Sequence, residues 1–168
     1  MKLLTEQGLT FDLHCNWFQL AEAATYFTTH SPSTVVILDH LGCVKLDTGN
    51  ADEDNKRIAE WKNGMTALAQ NPNVNVKISG LEYIKANWLV PGSAAREVIQ
   101  ELVLFVVKTF TPARCMVASN WPVDLHMGKS TLSALYCGIH DLLSSFSLEE
   151  RKAMFYDNAM RVYGMNKL

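Results

Sequence analysis

The chain lacks a strong excess of either charge, and it lacks any apolar run long enough to cross a membrane. Its 168 residues carry a formal net charge of −2, which gives no electrostatic basis for binding nucleic acid or an anionic membrane. The longest apolar stretch, residues 102–107, stops at Lys108, far short of the about 20 residues that a membrane span needs. The first residues also lack the apolar core and cleavage site of a signal peptide. We therefore exclude nucleic acid and membranes as partners.

The cysteines are few and irregularly spaced. No two of them form a Cys-x-x-Cys motif, so the sequence indicates neither a metal knuckle nor a dense disulfide framework. Reduced thiols are typical of cytoplasmic proteins, and we predict that location. Hydrophobic residues make up 48% of the chain and charged residues 19%, which is typical of a globular protein. At this length we predict a single domain over residues 1–168.

Four short apolar runs each end on a polar residue, and enough chain for a helix separates successive runs. This alternation is typical of parallel strands joined by crossover helices, so the predicted fold class is α/β. The strands are predicted at residues 9–15, 34–40, 74–79 and 114–119. Helices are predicted at residues 1–7, 19–29, 93–110, 129–146 and 147–163, and an amphipathic helix with Ile58, Trp61, Met65 and Leu68 on one face follows a polar surface loop at residues 44–55. Sites in such folds form at the carboxyl ends of the strands.

Side chains alternate between the two faces of a strand, and this predicts which polar groups point inward. Asp12 and Lys77 would both face away from the apolar side that packs beneath the helices. Because charged side chains are rarely buried unless they are paired, we predict that Asp12 and Lys77 interact directly or through one intermediary. Polar residues near the strand ends form a predicted ring at one end of the sheet: His14, His40, Ser79 and Asn120.

Several segments together resemble a known family. Residues 36–42 have the sequence Val-Ile-Leu-Asp-His-Leu-Gly, and residues 118–124 have Ala-Ser-Asn-Trp-Pro-Val-Asp. With residues 8–13, 72–81 and 157–164, which follow the same order at about the same spacing, they resemble the amidohydrolase-related family, the lactonase-like branch of the amidohydrolase superfamily. The resemblance covers nearly the whole chain.

The resemblance implies a partial TIM-like barrel. Members of the family are (β/α)8 barrels, and the four predicted strands look like strands 5 to 8, the C-terminal half of such a barrel, with their crossover helices. The His-x-His signature of strand 1 has no counterpart, because no two histidines in this chain are two positions apart. The implied function is hydrolysis of a lactone, or a similar cyclic ester or amide, of a small polar compound. This chain would hold only part of the site.

The resemblance also implies roles for individual residues. His40 matches the strand-6 histidine and would polarise the substrate carbonyl or contact a metal. Asn120 stands where many relatives have the strand-8 aspartate that activates water. An amide orients water or substrate but cannot take a proton from it. Four further side chains are predicted to bind the substrate: His14, Lys77, Ser79 and Trp121.

Strand alternation places no carboxylate where it could replace the missing aspartate. Asp39 is expected on the face opposite to His40, and Asp124 lies beyond the pocket loop. Two histidines and an amide are too few and too neutral for a tight catalytic metal site. We therefore expect a divalent metal, zinc or manganese, in an intact barrel, and none bound tightly by this chain alone.

A second interpretation is a truncated, non-catalytic half-barrel that acts as an assembly or interaction partner. A sheet that lacks the other strands of its barrel leaves an exposed edge and an exposed inner face, which soluble proteins must cover. Pairing of two copies into a pseudo-barrel would cover both, so we predict a homodimer as the assembly. The two interpretations differ in activity and in oligomeric state, and the sequence leaves both open.

Overall fold

Four parallel strands form one sheet in the protein. The computed structural model describes residues 1–165, and it describes Leu125 without its side chain. The strands are short and lie side by side in the order of the sequence: β1 (Phe11–Leu13), β2 (Val36–Leu38), β3 (Val74–Ile78) and β4 (Cys115–Val117). Helical segments connect successive strands, so the predicted α/β class is confirmed.

Helices pack against one face of this sheet. The described residues form nine α-helices: α1 (Lys2–Glu6), α2 (Leu20–His30), α3 (Ala51–Ala69), α4 (Leu81–Ile84), α5 (Ala94–Phe110), α6 (Val123–Gly128), α7 (Leu132–Leu142), α8 (Leu148–Lys152) and α9 (Asn158–Val162). Single turns of 3-10 helix occur at Trp17–Gln19, His40–Gly42 and Pro112–Arg114, and a π turn at Ala153–Asp157 joins α8 to α9. Within residues 1–165, no helix is both long and apolar enough to cross a bilayer.

Helix α3 begins inside the region that was expected to be a polar surface loop. Asn50 caps its N-terminus, because the Asn50 side-chain oxygen accepts hydrogen bonds from the backbone N–H groups of Asp52 at 3.0 Å and Glu53 at 3.3 Å. The residues before the cap are not all at the surface, since Val44 and Leu46 are buried. The prediction of a surface loop over residues 44–55 is therefore wrong at both ends.

The C-terminal region differs from the prediction in two ways: no helix was expected where α6 lies, and a π turn divides the helix predicted at residues 147–163 into α8 and α9. Helix α7 is shorter than the predicted span of residues 129–146. Lys129 has a left-handed φ of 49°, and Thr131 caps α7 by accepting a hydrogen bond from the Ala134 N–H at 3.1 Å. The capping box between Ser147 and Glu150 that opens α8 is confirmed.

The two faces of the sheet differ in chemistry. On the outer face, Leu38 lies between Leu13 and Val76 in the strand ladder, and Leu38 and Val76 are fully buried in the core beneath the helices. The inner face carries the polar residues Asp12 and Lys77. The hydrophobic core therefore lies between the sheet and its helices, and the polar chemistry lies on the other side.

Helices α2 and α3 cross closely at a glycine. A Cβ atom added to Gly64 would lie 2.5 Å from the Cβ of Leu20, an atom that cannot rotate away. We expect Gly64→Ala to lower the free energy of unfolding by about 2 kcal/mol in urea denaturation, because overpacking outweighs the better helix propensity of alanine. Gly128→Ala in α6 is the control, since the nearest atoms to its new methyl group belong to the Glu82 side chain, at 3.2 and 3.3 Å. Equal losses for the two variants would contradict this account.

An ion-pair network lies on the inner face of the sheet. The Nζ of Lys77 is 2.6 Å from Oδ1 of Asp12 and 2.9 Å from Oδ1 of Asp39. The hydroxyl of Tyr163 donates a hydrogen bond of 2.7 Å to Oδ1 of Asp12, and the Lys77 Nζ lies 5.6 Å from the centre of the Tyr163 ring. The predicted contact between Asp12 and Lys77 is confirmed. Burial alone would lower the pKa of Lys77, but its bonds to Asp12, Tyr163 and Asp39 outweigh that effect and raise it.

Removal of the Lys77 charge tests this network. We expect Lys77→Met to lower the free energy of unfolding by about 2 kcal/mol, because two partly buried carboxylates lose their common partner. The loss stays below that for a fully buried pair because the Asp12 side chain is 41% exposed. Lys152→Met, which breaks an exposed pair with Asp157, should cost about 0.5 kcal/mol or less. Similar urea midpoints for the two variants would contradict the prediction.

Candidate functional site

A left-handed turn follows β2 and carries His40. The φ angles of His40 and Leu41 are both 51°, and those of Gly42 and Cys43 are 70° and 49°. This backbone region is unfavourable for residues other than glycine, so surrounding contacts have to stabilise the turn. One such contact is a buried hydrogen bond of 2.6 Å from Nε1 of Trp61 to the backbone oxygen of Leu41. The turn holds His40 at the carboxyl end of β2.

The end of β3 packs directly against His40. Gly80 has a φ of 67°, and a Cβ atom at this position would lie 2.9 Å from the Cβ of His40, so glycine permits the close approach. The preceding residue, Ser79, is buried, and its Oγ lies 2.9 Å from Nδ1 of His40. The Ser79 contact engages one ring nitrogen of His40, which leaves Nε2 for a ligand.

The surroundings of His40 favour the neutral form of its imidazole. Burial lowers its pKa; the negative charge of Asp39 opposes the shift, and the nearby His14 and Lys77 add to it. A neutral imidazole has one nitrogen that donates and one that accepts. The ring is therefore suited to coordinate a cation or to bind a carbonyl group.

Asp39 lies beside His40 in the site, and the expectation that the two residues occupy opposite faces is wrong. The strand register places Ile37 next to Asp12, so strand alternation puts Asp39 on the inner face, where it meets Lys77. Alternation stops at His40, because its left-handed φ of 51° turns the chain. Both side chains consequently reach the same place.

Three side chains could together hold a metal ion. One ligand atom each from His14, Asp39 and His40 lie within 4.8 Å of one another. The His14 and His40 rings are edge-on, with centres 5.4 Å apart. Two imidazoles and a carboxylate form a donor set that zinc uses in catalytic sites. The sequence analysis considered only two histidines and the Asn120 amide as metal ligands, a set without a negative charge. Asp39 supplies that charge.

A cavity of about 250 Å³ opens beside these residues. It is lined by His14, Asn16, His40, Cys43, Gly80, Tyr83, Asn120 and Val123. His14, His40 and Asn120, three members of the predicted ring, thus share one cavity. The fourth member, Ser79, is buried behind His40. The polar ends of all four strands converge, as the positions of sites in parallel sheets predict.

The other two predicted substrate-binding residues lie elsewhere. Lys77 is in the ion-pair network on the inner face, and Trp121 is 64% exposed on the loop after β4. Neither is among the described residues that line the cavity. Their roles in substrate binding remain predictions.

Asn120 is oriented by a carboxylate that lies behind it. Its Nδ2 donates a hydrogen bond of 2.8 Å to Oδ1 of Asp124, which is 2% exposed. Burial raises the pKa of Asp124, although hydrogen bonds from Asn120 and from the backbone of Glu82 and Leu81 oppose the shift. Asp124 is thus close to the site, where it contacts Asn120 and does not line the cavity itself.

Sequence reasoning left out several residues that shape the site. Asp124 follows Asn120 by one helical turn, and a helix prediction at α6 would have brought the two together. Tyr83 and Cys43 lie in segments that follow β3 and β2, where the position alone predicts proximity to the site. The Sγ of Cys43 is 3.5 Å from Nε2 of His14. Nothing in the spacing of the cysteines indicated this contact.

Comparison with known proteins identifies the family. The model of the amidohydrolase family matches residues 1–165 of the chain. The chain belongs to the amidohydrolase family, and its four strands with their helices form a partial TIM-like barrel. The predicted family and fold are confirmed.

Two curated relatives match almost the whole chain. This chain is 33% identical over 162 residues to the uncharacterized protein y4mH of Sinorhizobium fredii. The alignment covers 96% of this chain and 49% of that protein. It is 30% identical over 154 residues to the L-fucono-1,5-lactonase of Burkholderia multivorans, covering 88% of this chain and 48% of the relative. The chain thus spans about half the length of the curated relatives it matches.

Solved structures share the architecture. An amidohydrolase from Burkholderia multivorans superposes with a TM-score of 0.84 at 25% identity over 96% of this chain and 55% of that one. A second crystal form, with bound zinc, gives a TM-score of 0.81 at 22% identity, with the same coverage of both chains. A putative 2-pyrone-4,6-dicarboxylic acid hydrolase from Pseudomonas putida gives 0.69 at 18% identity, over 96% of this chain and 54% of that one. At these identities the last two comparisons show the fold alone.

Proposed function

We propose that this chain carries part of the active site of a hydrolase that opens a lactone, or a similar cyclic ester or amide, of a small polar compound. The observation that carries the proposal is the convergence of His14, Asp39 and His40 at a cavity that Asn120 also lines. The family and the lactonase among its relatives support the reaction class. In the reaction, water adds to the carbonyl carbon, the ring C–O or C–N bond breaks, and a hydroxy acid or amino acid forms.

The donor set fits a divalent metal, and we propose zinc or manganese. His14, Asp39 and His40 would hold the ion, with Asp39 kept in place by Lys77. When bound, the metal polarises the carbonyl and lowers the pKa of water. The neutral state of His40 leaves a lone pair for coordination, and the Ser79 hydroxyl fixes the other side of its ring.

Asn120 orients the reactants and does not act as a base. Its NH2 group is held by Asp124, so its carbonyl oxygen accepts a hydrogen bond from water or from a substrate hydroxyl. Correct orientation of a nucleophile contributes to rate without a proton transfer to the orienting group. The partner is a small molecule, and we place the reaction in the cytoplasm.

Metal removal and replacement test the proposed function. The 168-residue chain, freed of metal with a chelator, should hydrolyse a six-membered sugar lactone at about the buffer rate. Added zinc or manganese should raise the rate by about 10-fold or more. Isothermal titration calorimetry should give an affinity for zinc that falls by about 10-fold or more in Asp39→Asn. No turnover with either metal would refute hydrolysis by this chain, and equal zinc affinity in the variant would refute the role of Asp39.

A second candidate function is assembly, because within the described residues neither β1 nor β4 has a strand on its outer side, and on β4 the Asn158 side chain bonds only to the backbone oxygen of Cys115, at 2.8 Å. β1 and β4 each pair with one neighbour, and exposed apolar side chains follow β4 at Trp121, Val123 and Met127. We propose that a second copy covers this edge. Light scattering after size exclusion should give the mass of a dimer, and Met127→Lys should shift it toward the monomer. A stable monomer of the unchanged chain would refute the dimer.

A further inference from the structure

We propose that Asp12 raises the metal affinity of the site by sharing Lys77 with Asp39. Asp12 is not among the described residues that line the cavity, so it is a positioning residue that acts through the lysine. The inference rests on the proposed function and adds a residue to it, because Asp39 is one of the three proposed metal donors.

Asp39 has two kinds of partner. Its Oδ1 lies 2.9 Å from the Nζ of Lys77, and one of its oxygens lies within 4.8 Å of ligand atoms of His14 and His40. The Asp39 side chain is only 17% exposed, so water screens its charge weakly. An ammonium group at this distance offsets part of the negative charge that the carboxylate offers to a metal ion. Lys77 therefore keeps Asp39 in place and at the same time competes with the ion for it.

A second carboxylate reduces this competition. The Nζ of Lys77 is 2.6 Å from Oδ1 of Asp12, a shorter separation than the 2.9 Å to Asp39. Two carboxylates share one ammonium group, so the three groups together keep a net charge of −1. Without the charge of Asp12, the lysine would pair with Asp39 alone and the pair would be neutral. Asp12 thus preserves negative charge at the carboxylate that faces the histidines.

Tyr163 contacts the same carboxylate without changing its charge. Its hydroxyl donates a hydrogen bond of 2.7 Å to Oδ1 of Asp12. In the absence of that hydroxyl, the charge-assisted bond to Lys77 still holds Asp12. The charge of Asp12, and not the tyrosine bond, is therefore the property that affects Asp39. This difference separates the electrostatic role of Asp12 from the stability that the network provides.

Calorimetric titration with zinc tests the role of Asp12. Asp12→Asn keeps an oxygen that accepts hydrogen bonds from Lys77 and Tyr163, and it removes the charge. It should weaken zinc binding by about 5-fold or more, since changes to the groups behind a metal ligand commonly cost about 10-fold or more in affinity. Tyr163→Phe leaves all three charges and should change the affinity by less than about 2-fold. Asp157→Asn is the control, because it removes a carboxylate from the exposed pair with Lys152 and should leave zinc affinity unchanged.

A second background shows whether Asp12 acts through the lysine. Lys77→Met removes the ammonium group that the two carboxylates share. In this background Asp12→Asn should change zinc affinity by less than about 2-fold, because two residues coupled through a shared partner lose their coupling with it. Urea denaturation establishes that each variant is folded under the conditions of the titration. A change of equal size in both backgrounds would mean that Asp12 acts on the ion directly and would overturn the inference.

Three other results would also overturn it. They are a zinc affinity of Asp12→Asn that is no lower than that of the unchanged chain, an equal loss in Tyr163→Phe or Asp157→Asn, and no zinc binding by the unchanged chain. Failure of the proposed function gives a different result. A chain that binds zinc with the expected dependence on Asp12 and Lys77, and hydrolyses no lactone, would refute the hydrolase and leave this role of Asp12 standing.

Discussion

Replacement of His40 with alanine is expected to lower kcat/KM for lactone hydrolysis by about 1,000-fold, the largest effect on activity that we predict. The imidazole sits at the carboxyl end of β2, faces the cavity, and has its Nδ1 engaged by Ser79 at 2.9 Å. Alanine removes the group that coordinates a metal or contacts the carbonyl. Initial rates with the zinc-loaded protein and a six-membered lactone give the comparison.

A histidine outside the site provides the control for this experiment. His30 is exposed at the C-terminal end of α2, which leads into the opposite end of the sheet. His30→Ala should keep kcat/KM within about 2-fold, since surface substitutions away from a site have small effects. If His40→Ala were as active as His30→Ala, the assignment of the site to this cavity would be wrong.

The replacement of Trp61 with alanine is expected to lower the free energy of unfolding by about 4 kcal/mol, the largest effect on stability that we predict. Trp61 is fully buried, packs against Phe105 with ring centres 5.5 Å apart, and donates to the backbone oxygen of Leu41. Alanine leaves a cavity in the core and a buried carbonyl group without its donor. Urea denaturation followed by circular dichroism measures the loss.

Two further tryptophan variants separate packing from the hydrogen bond. Trp61→Phe keeps most of the apolar volume and loses the donor, so its cost should be about 2 kcal/mol. Trp121→Ala removes a side chain that is 64% exposed and should cost less than about 1 kcal/mol. If Trp61→Phe were as stable as the unchanged chain, the bond to Leu41 would not stabilise the left-handed turn.

The sequence pattern predicted those features of the sheet that depend only on the alternation of side chains along a strand. Alternation of side chains placed Asp12 and Lys77 on one face, and their ion pair confirms it. The predicted strands are longer than the observed ones: β1 covers only Phe11–Leu13, and β2 covers only Val36–Leu38. The polar residues after the strand ends, such as His14 and His40, lie beyond the hydrogen-bonded part of the sheet. The alternation of side chains along a strand therefore does not predict where they point.

The contacts of Asp39 and Asp124 in the site could not be predicted from the alternation of side chains. The position of His40 beside Asp39 was missed because alternation stops at His40, where a left-handed φ of 51° turns the chain, and contacts such as the hydrogen bond from Trp61 to Leu41 stabilise that turn. Asp124 was separated from Asn120 because no helix was predicted at α6. In both cases a local backbone conformation, stabilised by distant residues, decides which side chains meet.

The hydrogen bond between Tyr163 and Asp12 has a consequence for how the protein acquires its structure during translation. The two residues are 151 positions apart, and the hydroxyl meets the carboxylate that Lys77 also contacts. A ribosome releases β1 long before it releases Tyr163, and contacts between distant residues form late and slowly. The Asp12 carboxylate can therefore pair with Lys77 before Tyr163 has left the ribosome, and the tyrosine hydroxyl joins the network after α9 has been made.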